Sequence, residues 1–364
     1  VLGELPSGRQ RGRWNPLLDR KTLASTVAVL AVGSGLTRIW RRRRHRRGDF
    51  RAYVLEYHEI SADGTEAEGT ISAARFRRHL AHLARRYRPA TVAEAAQRLS
   101  RGLEEDLVVI TFDDGYAGNR EAAWPELRTA GMPATIFLTT GFLDGAELWF
   151  DRARRQLTTL RQLAVGRSAG GWPSTAREML AEALGSPPPE SVESLTRELK
   201  YLPPPRREAL LSRLAEIAPP RGESARPLSW DDARALQGEG AELGGHTVSH
   251  PILSTVGAAE QEAEIRTSRE RIAEELGSPP VSFAYPNGSA RDFGDETVSA
   301  VERAGFRAAC TTVRGSNRPG CDLLRLRRIG IGSDSTTLVE ARLAGLFDQE
   351  VRRLLGFAKG RPRT

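Results

Sequence analysis

Apolar positions along this chain follow two rhythms that alternate after Phe50. Residues 52–57, 107–112 and 134–138 are short, nearly continuous runs rich in β-branched and aromatic side chains, the signature of buried strands. Between and after them, 72–86, 91–99 and 119–130 carry their apolar residues at helical spacing. Strand and helix in alternation predict an α/β fold on a parallel sheet. The rhythm lapses from about Gly145 to Pro227, where helix-like stretches are interrupted by Pro187-Pro-Pro189, Pro203-Pro-Pro205 and Pro219-Pro220 and no strand-like run occurs. This segment reads as a helical insertion. A helix cap at Ser229 and a strand over Ala241–Gly244 then resume the pattern.

The ends differ from this body. Thr22–Thr37 holds no charge, but its 16 residues fall short of the roughly 20 of a spanning helix, and Gly33 and Gly35 interrupt it. It is expected to form a helix packed on the outside of the fold. Arg41-Arg-Arg-Arg-His-Arg-Arg47 follows, suited to anionic lipid head groups or to a solvated linker, so that residues 22–47 allow peripheral membrane contact. Charge placed after the apolar run would hold the body in the cytoplasm if the run inserted, so a cytoplasmic or membrane-associated location is expected over a secreted one. The layout is therefore a basic helical or linker extension over 1–50, a body over 51–340 with its insertion, and a C-terminal helix and basic tail over 341–364.

Charge changes the picture once it is located. Residues 1–51 hold 13 Lys or Arg against 3 Asp or Glu, so the remaining chain carries 8 − 10 = −2 of the total +8. A nearly neutral body argues against nucleic acid as a partner. Cys310 and Cys321 are the only cysteines, too few for a disulfide framework.

Two short segments carry the chemistry. Thr111-Phe-Asp-Asp-Gly115 closes a predicted strand, so Asp113 and Asp114 stand at a carboxyl end, where α/β folds assemble active sites. Successive residues of an extended chain point apart. One carboxylate can therefore face a metal and the other the reacting atom, while Gly115 lets the backbone turn away. His246-Thr-Val-Ser-His250 spaces two imidazoles by four, which a helical turn or a tight loop brings to one cation. Asp114, His246 and His250 would leave a position open for water, the catalytic arrangement for zinc; iron, cobalt or nickel suit the same donors. His79 and His82 lie in a helix-like stretch and are expected to be ordinary helix residues.

With Tyr57-His-Glu-Ile60, Pro133-Ala-Thr-Ile-Phe-Leu138 and Phe283-Ala-Tyr-Pro-Asn-Gly288, these segments make residues 52 to 335 resemble the polysaccharide deacetylases with a NodB homology domain, carbohydrate esterase family 4. The resemblance implies a distorted (β/α) barrel of that type and hydrolysis of N-acetyl groups from an amino-sugar glycan or glycolipid, with release of acetate. In that reading Asp113 is the general base, and Asp114, His246 and His250 hold a divalent metal, with zinc the first choice. The Tyr285, Pro286 and Asn287 stretch binds substrate and supplies an oxyanion donor from the Tyr285 region.

Two departures from the commoner pattern stand out. No histidine follows His250, so the general acid is expected to be His58, as in the similar subgroup that carries this residue on the first strand. The arginine that many members use to orient the catalytic aspartate is missing before Tyr285; Arg325, Arg327 and Arg328 are the replacements on offer. A sugar-binding module without turnover and a metal amidase acting on a non-sugar amide are the competing readings.

Overall fold

The protein is described from a computed structural model that covers residues 26, 29–67, 69–164 and 171–346. Ten strands are present among these: β1 (Ala52–Tyr57), β2 (Glu59–Ser61), β3 (Thr70–Ser72), β4 (Arg88–Ala90), β5 (Leu107–Phe112), β6 (Ala134–Leu138), β7 (Glu242–Gly245), β8 (Ser282–Ala284), β9 (Ala308–Arg314) and β10 (Leu326–Gly330). The order β1-β10-β9-β8-β7-β6-β5 closes on itself through a β1–β5 ladder, giving a parallel barrel of the expected distorted (β/α) kind. β4 lies beside Leu107–Val109 of β5, and β6 takes over the same edge from Ile110. A separate pair, β2 and β3, flanks the mouth.

The predicted strands read as continuous apolar runs because they are covered on both faces: every residue of β5 and β6 is buried. Helices 73–84, 92–101, 124–130, 230–238, 258–276 and 295–303 surround the barrel. Several start where the sequence places a cap. Thr91 pairs with Glu94 and Ser229 with Asp232 in capping boxes, each satisfying two backbone donors that a helix start leaves open. Close approach explains Gly244, where an added Cβ would lie 2.5 Å from the Phe137 ring.

The expected insertion is helical throughout its described part: Trp149–Ala164, Ser174–Leu184, Val192–Leu199 and Pro204–Ile217. Pro203 and Pro204 sit at the start of the last of these, where a missing N–H costs nothing. The four helices bury a core of their own around Leu157, Trp172, Leu195, Leu199 and Leu214.

Leu36–His45 is a helix, but it meets the body through Thr37, Arg41 and Arg44 rather than through its apolar residues. Arg44 is buried and donates to Asp106 at 2.6 Å and to the Tyr53 hydroxyl at 3.1 Å, so this arginine is held on the body while Arg42, Arg43, Arg46 and Arg47 stay exposed. No helix among the described residues is long and apolar enough to cross a membrane. The first part of the uncharged run, and the tail beyond residue 346, lie outside the described residues.

Candidate active site

The carboxyl ends of β1, β5, β7 and β8 bring the sequence candidates to one cavity of about 420 Å³, which His58, Asp113, Asp114, His246, His250 and Asn287 all line. Tyr285 and Pro286 do not reach it. The backbone shows how strictly the site is built. Asp114, Thr247, His250 and Asn287 are the only non-glycine residues with positive φ among the described residues, and all four belong to this site. Such conformations cost free energy and persist where the surroundings over-determine them.

The His246–His250 segment is a tight loop, not a helical turn. Its carbonyls at Thr247 and Val248 accept from the Thr140 and Gly141 amides. On its other side the Glu264 carboxylate accepts from the Val248 and Ser249 amides at 2.7 and 2.9 Å, a support from a residue that no local pattern pairs with this loop. His246 donates from Nδ1 to the Ala284 carbonyl at 2.7 Å, which leaves Nε2 as the lone-pair nitrogen. That Nε2 and the Nε2 of His250 stand 3.5 and 3.4 Å from Asp114 Oδ1. This oxygen is buried and has no hydrogen-bond partner.

A buried, orphaned carboxylate oxygen between imidazole nitrogens is a costly arrangement for the protein alone. Ligand atoms of Asp114, His246 and His250 all lie within 4.8 Å of one another, so these residues fit a cation. Burial pushes the Asp114 carboxyl up to about 7 and the His246 imidazole down to about 4, and burial together with His246 holds His250 well below its ordinary range. The two imidazoles are therefore held neutral, as ligands must be.

Asp113 is held differently. Arg328 on β10 crosses the barrel and makes a two-pronged contact, Nη1 to Oδ1 and Nη2 to Oδ2, each 2.7 Å, while its Nε donates to the Thr311 carbonyl at 2.9 Å. Burial would raise the Asp113 carboxyl, but Arg328 and His246 outweigh it and keep the group well below the usual carboxylate range. Of the three arginines considered, Arg325 pairs with Asp295 at the surface and Arg327 is exposed. Arg328 alone of the three contacts Asp113.

His58 follows β1, with its imidazole 38% exposed into the cavity and Nε2 3.9 Å from Glu56 Oε1. Burial would lower it, yet the carboxylates of Asp114, Asp113 and Glu56 prevail and raise it above the ordinary imidazole value.

The three residues Tyr285, Pro286 and Asn287 are placed differently. The Tyr285 amide donates to the Cys310 carbonyl at 3.1 Å, continuing the β8–β9 ladder, and its ring is buried against Phe293 with the hydroxyl on the Leu324 carbonyl. Pro286 has no N–H. Asn287, turned into the left-handed region, is the member of the trio that faces the cavity.

Trp149 and Asp151, at the start of the insertion, turn out to serve the site by packing and hydrogen bonding. Trp149 donates to the His250 carbonyl at 3.0 Å, and Asp151 accepts from the Tyr116 hydroxyl at 2.9 Å. The insertion also supplies a wall that sequence reasoning missed: Glu193, Thr196, Arg197 and Lys200, spaced as one helical face, all line the cavity. His79 and His82 are structural, bonded to the Asp334 carbonyl and to Glu340. Cys310 and Cys321 are both free.

A family model described as polysaccharide deacetylase matches residues 100–186 and 206–309, just over half of the chain. YxkH of Bacillus subtilis (strain 168), which carries a polysaccharide-deacetylase name, is 21% identical over 281 residues, 76% of this chain and 70% of its own length. Among solved structures, IcaB from Ammonifex degensii aligns over 81% of this chain and 97% of its own at TM-score 0.54 and 20% identity. The Streptococcus pyogenes deacetylase PplD in complex with acetate aligns over 80% and 98% at TM-score 0.53 and 18% identity. These likenesses establish the fold. His58 and Arg328 both fall outside the segments that the family model matches.

Proposed function

Because the chain belongs to the polysaccharide deacetylase family, we propose that it removes N-acetyl groups from an amino-sugar glycan of the N-acetylglucosamine type, releasing acetate, in a reaction that depends on a divalent metal. The observation that carries this reading is the orphaned Asp114 Oδ1 facing two neutral imidazoles beside an Asp113 kept ionised by Arg328. A divalent cation, zinc by the chemistry of the donor set, would supply Lewis acidity there, polarising an acetamide carbonyl and making water nucleophilic near neutral pH.

The chain's own residues divide the rest of the work. Asp113, ionised and fixed by the Arg328 fork, takes the proton from the attacking water; its depressed pKa keeps it competent as a base over a wide pH range. Asn287 offers the backbone N–H for the oxyanion of the tetrahedral species, since Tyr285 has spent its own and Pro286 has none. His58, whose pKa the surrounding carboxylates raise against the effect of burial, gives a proton to the departing amine nitrogen. Without that proton the C–N bond would have to expel an amide anion.

The test is acetate release from N-acetylglucosamine oligomers, with and without chelator. Release that chelator abolishes and zinc restores is the expected result. Metal uptake with no acetate release would instead favour a sugar-binding module or an amidase for a non-sugar amide.

A further inference from the structure

Five of the seven large hydrophobic residues that stand exposed among the described residues belong to one short segment: Val29, Leu30, Leu36, Ile39 and Trp40. Within the helix Leu36–His45 the arrangement is inverted relative to an ordinary surface helix. Thr37, Arg41 and Arg44, spaced i, i+4, i+7, face the protein, with Thr37 and Arg44 buried. Leu36, Ile39 and Trp40, with Arg43, share the adjoining face and stand exposed, Trp40 at the rim of the cleft that Arg41 and Arg44 line. A surface helix that packs against its own domain normally does the reverse.

The inward face is firmly held. Asp106 accepts from Arg44 at 2.6 Å, from His45 Nε2 at 2.8 Å and from the Arg51 amide at 2.9 Å, while Arg41 lies over the Tyr87 ring and 3.6 Å from Glu340. The outward face is thus presented by a fixed scaffold. Beside it Arg38, Arg42, Arg43, Arg46 and Arg47 are exposed.

We propose that this helix is a docking surface for an anionic lipid bilayer, with Leu36, Ile39 and Trp40 entering the head-group boundary and the five exposed arginines meeting lipid phosphates. Apolar burial and charge attraction together are what an interfacial helix requires, and each supports the other here. Nucleic acid would satisfy the arginines but leave three large apolar side chains in water. The placement also fixes an orientation. Asp106 and Arg51 precede β5 and β1, so the helix sits at the amino ends of the strands, whereas Asp113, Asp114 and His58 follow their carboxyl ends. Six-residue strands separate the two by roughly 20 Å. Docking therefore turns the cavity away from the bilayer, toward a glycan that extends into water. The docking itself does not depend on the catalytic reading.

The full chain, sedimented with phosphatidylcholine vesicles, is expected to stay in the supernatant and to pellet once phosphatidylglycerol is included, with pelleting reduced by salt. A triple variant, Leu36→Glu, Ile39→Glu and Trp40→Glu, should lose pelleting while keeping the wild-type melting curve. Replacing Arg42, Arg43, Arg46 and Arg47 by Gln should weaken binding about fivefold per charge removed. Wild-type pelleting by the triple variant would overturn the proposal. So would a concentration-dependent dimer that the triple variant abolishes, tighter binding to duplex DNA than to anionic vesicles, or bound protein that resists extraction by alkaline carbonate.

Discussion

Arg328 and Asp113 meet edge to edge inside the barrel, with Nη1 and Nη2 each 2.7 Å from one of the two carboxylate oxygens and neither side chain open to solvent. A fork of this kind fixes orientation as well as charge. Arg328→Lys keeps the charge and loses the fork, so kcat should fall on the order of a hundredfold with KM little changed. Arg328→Met leaves a buried carboxylate unpaired and should lower stability by about 3–5 kcal/mol, measurable by denaturant unfolding.

The acid assigned to His58 predicts a dependence on the leaving group. His58→Ala should slow amide hydrolysis by roughly 10²–10⁴, yet slow an activated acetyl ester far less, because a phenolate leaves without a proton. Comparing both substrates on the same variant separates loss of the acid from a damaged site. Equal loss on both would remove His58 from the role.

The pH profile carries a second sign. Turnover needs Asp113 ionised and His58 protonated; the first is held below and the second above its ordinary range. The acid limb should therefore lie far to the acid side and the basic limb should follow His58. Glu56→Gln removes one of the carboxylates that raise His58 and should shift the basic limb to lower pH, with little change in the acid limb.

These assignments differ in how far the sequence could carry them. Asp113, Asp114, His246 and His250 are legible because each pair lies within one short segment, so local geometry already brings its members together. Arg328 is not, since on β10 neighbouring residues face opposite ways and the register that buries Arg328 while exposing Arg327 is set by pairing with β1 and β9. Nor does a sequence reveal that, within the Tyr285 region, the Tyr285 amide is committed to the Cys310 carbonyl. The wall made by Arg197 and Lys200 was hidden for a related reason. The way an inserted helical unit docks depends on contacts between segments far apart in the chain, such as Trp149 with the His250 carbonyl.

Metal affinity should fall with acid in a specified way. His246 is already neutral down to about pH 4 and His250 is held well below its ordinary range, whereas the Asp114 carboxyl, raised by burial to about 7, must lose its proton before it can ligate. Between those limits one proton should be released per ion bound, so affinity should drop about tenfold for each pH unit below 7. Calorimetry in buffers of different ionisation heat reads the proton directly. A release of two or more protons near pH 6 would mean that the histidines are charged in the metal-free protein.

Two neighbouring cations on the insertion wall should fail in different ways when removed. Arg197 lines the cavity on the same helical face as Thr196 and Lys200. Lys200 reaches further: its ammonium lies 3.4 Å from Asn287 Oδ1 and 3.5 Å from Asp292, tying the insertion to the loop that carries Asn287, the proposed oxyanion donor. Arg197→Ala should raise KM for glycan oligomers by roughly threefold to tenfold and leave kcat intact, because a contact made equally in ground and transition states acts on binding alone. Lys200→Ala should lower kcat by about tenfold, since Asn287 holds a positive φ that its surroundings must enforce. Steady-state kinetics on one oligomer series distinguishes them. Identical KM effects from both variants would reduce Lys200 to part of the wall and detach it from Asn287.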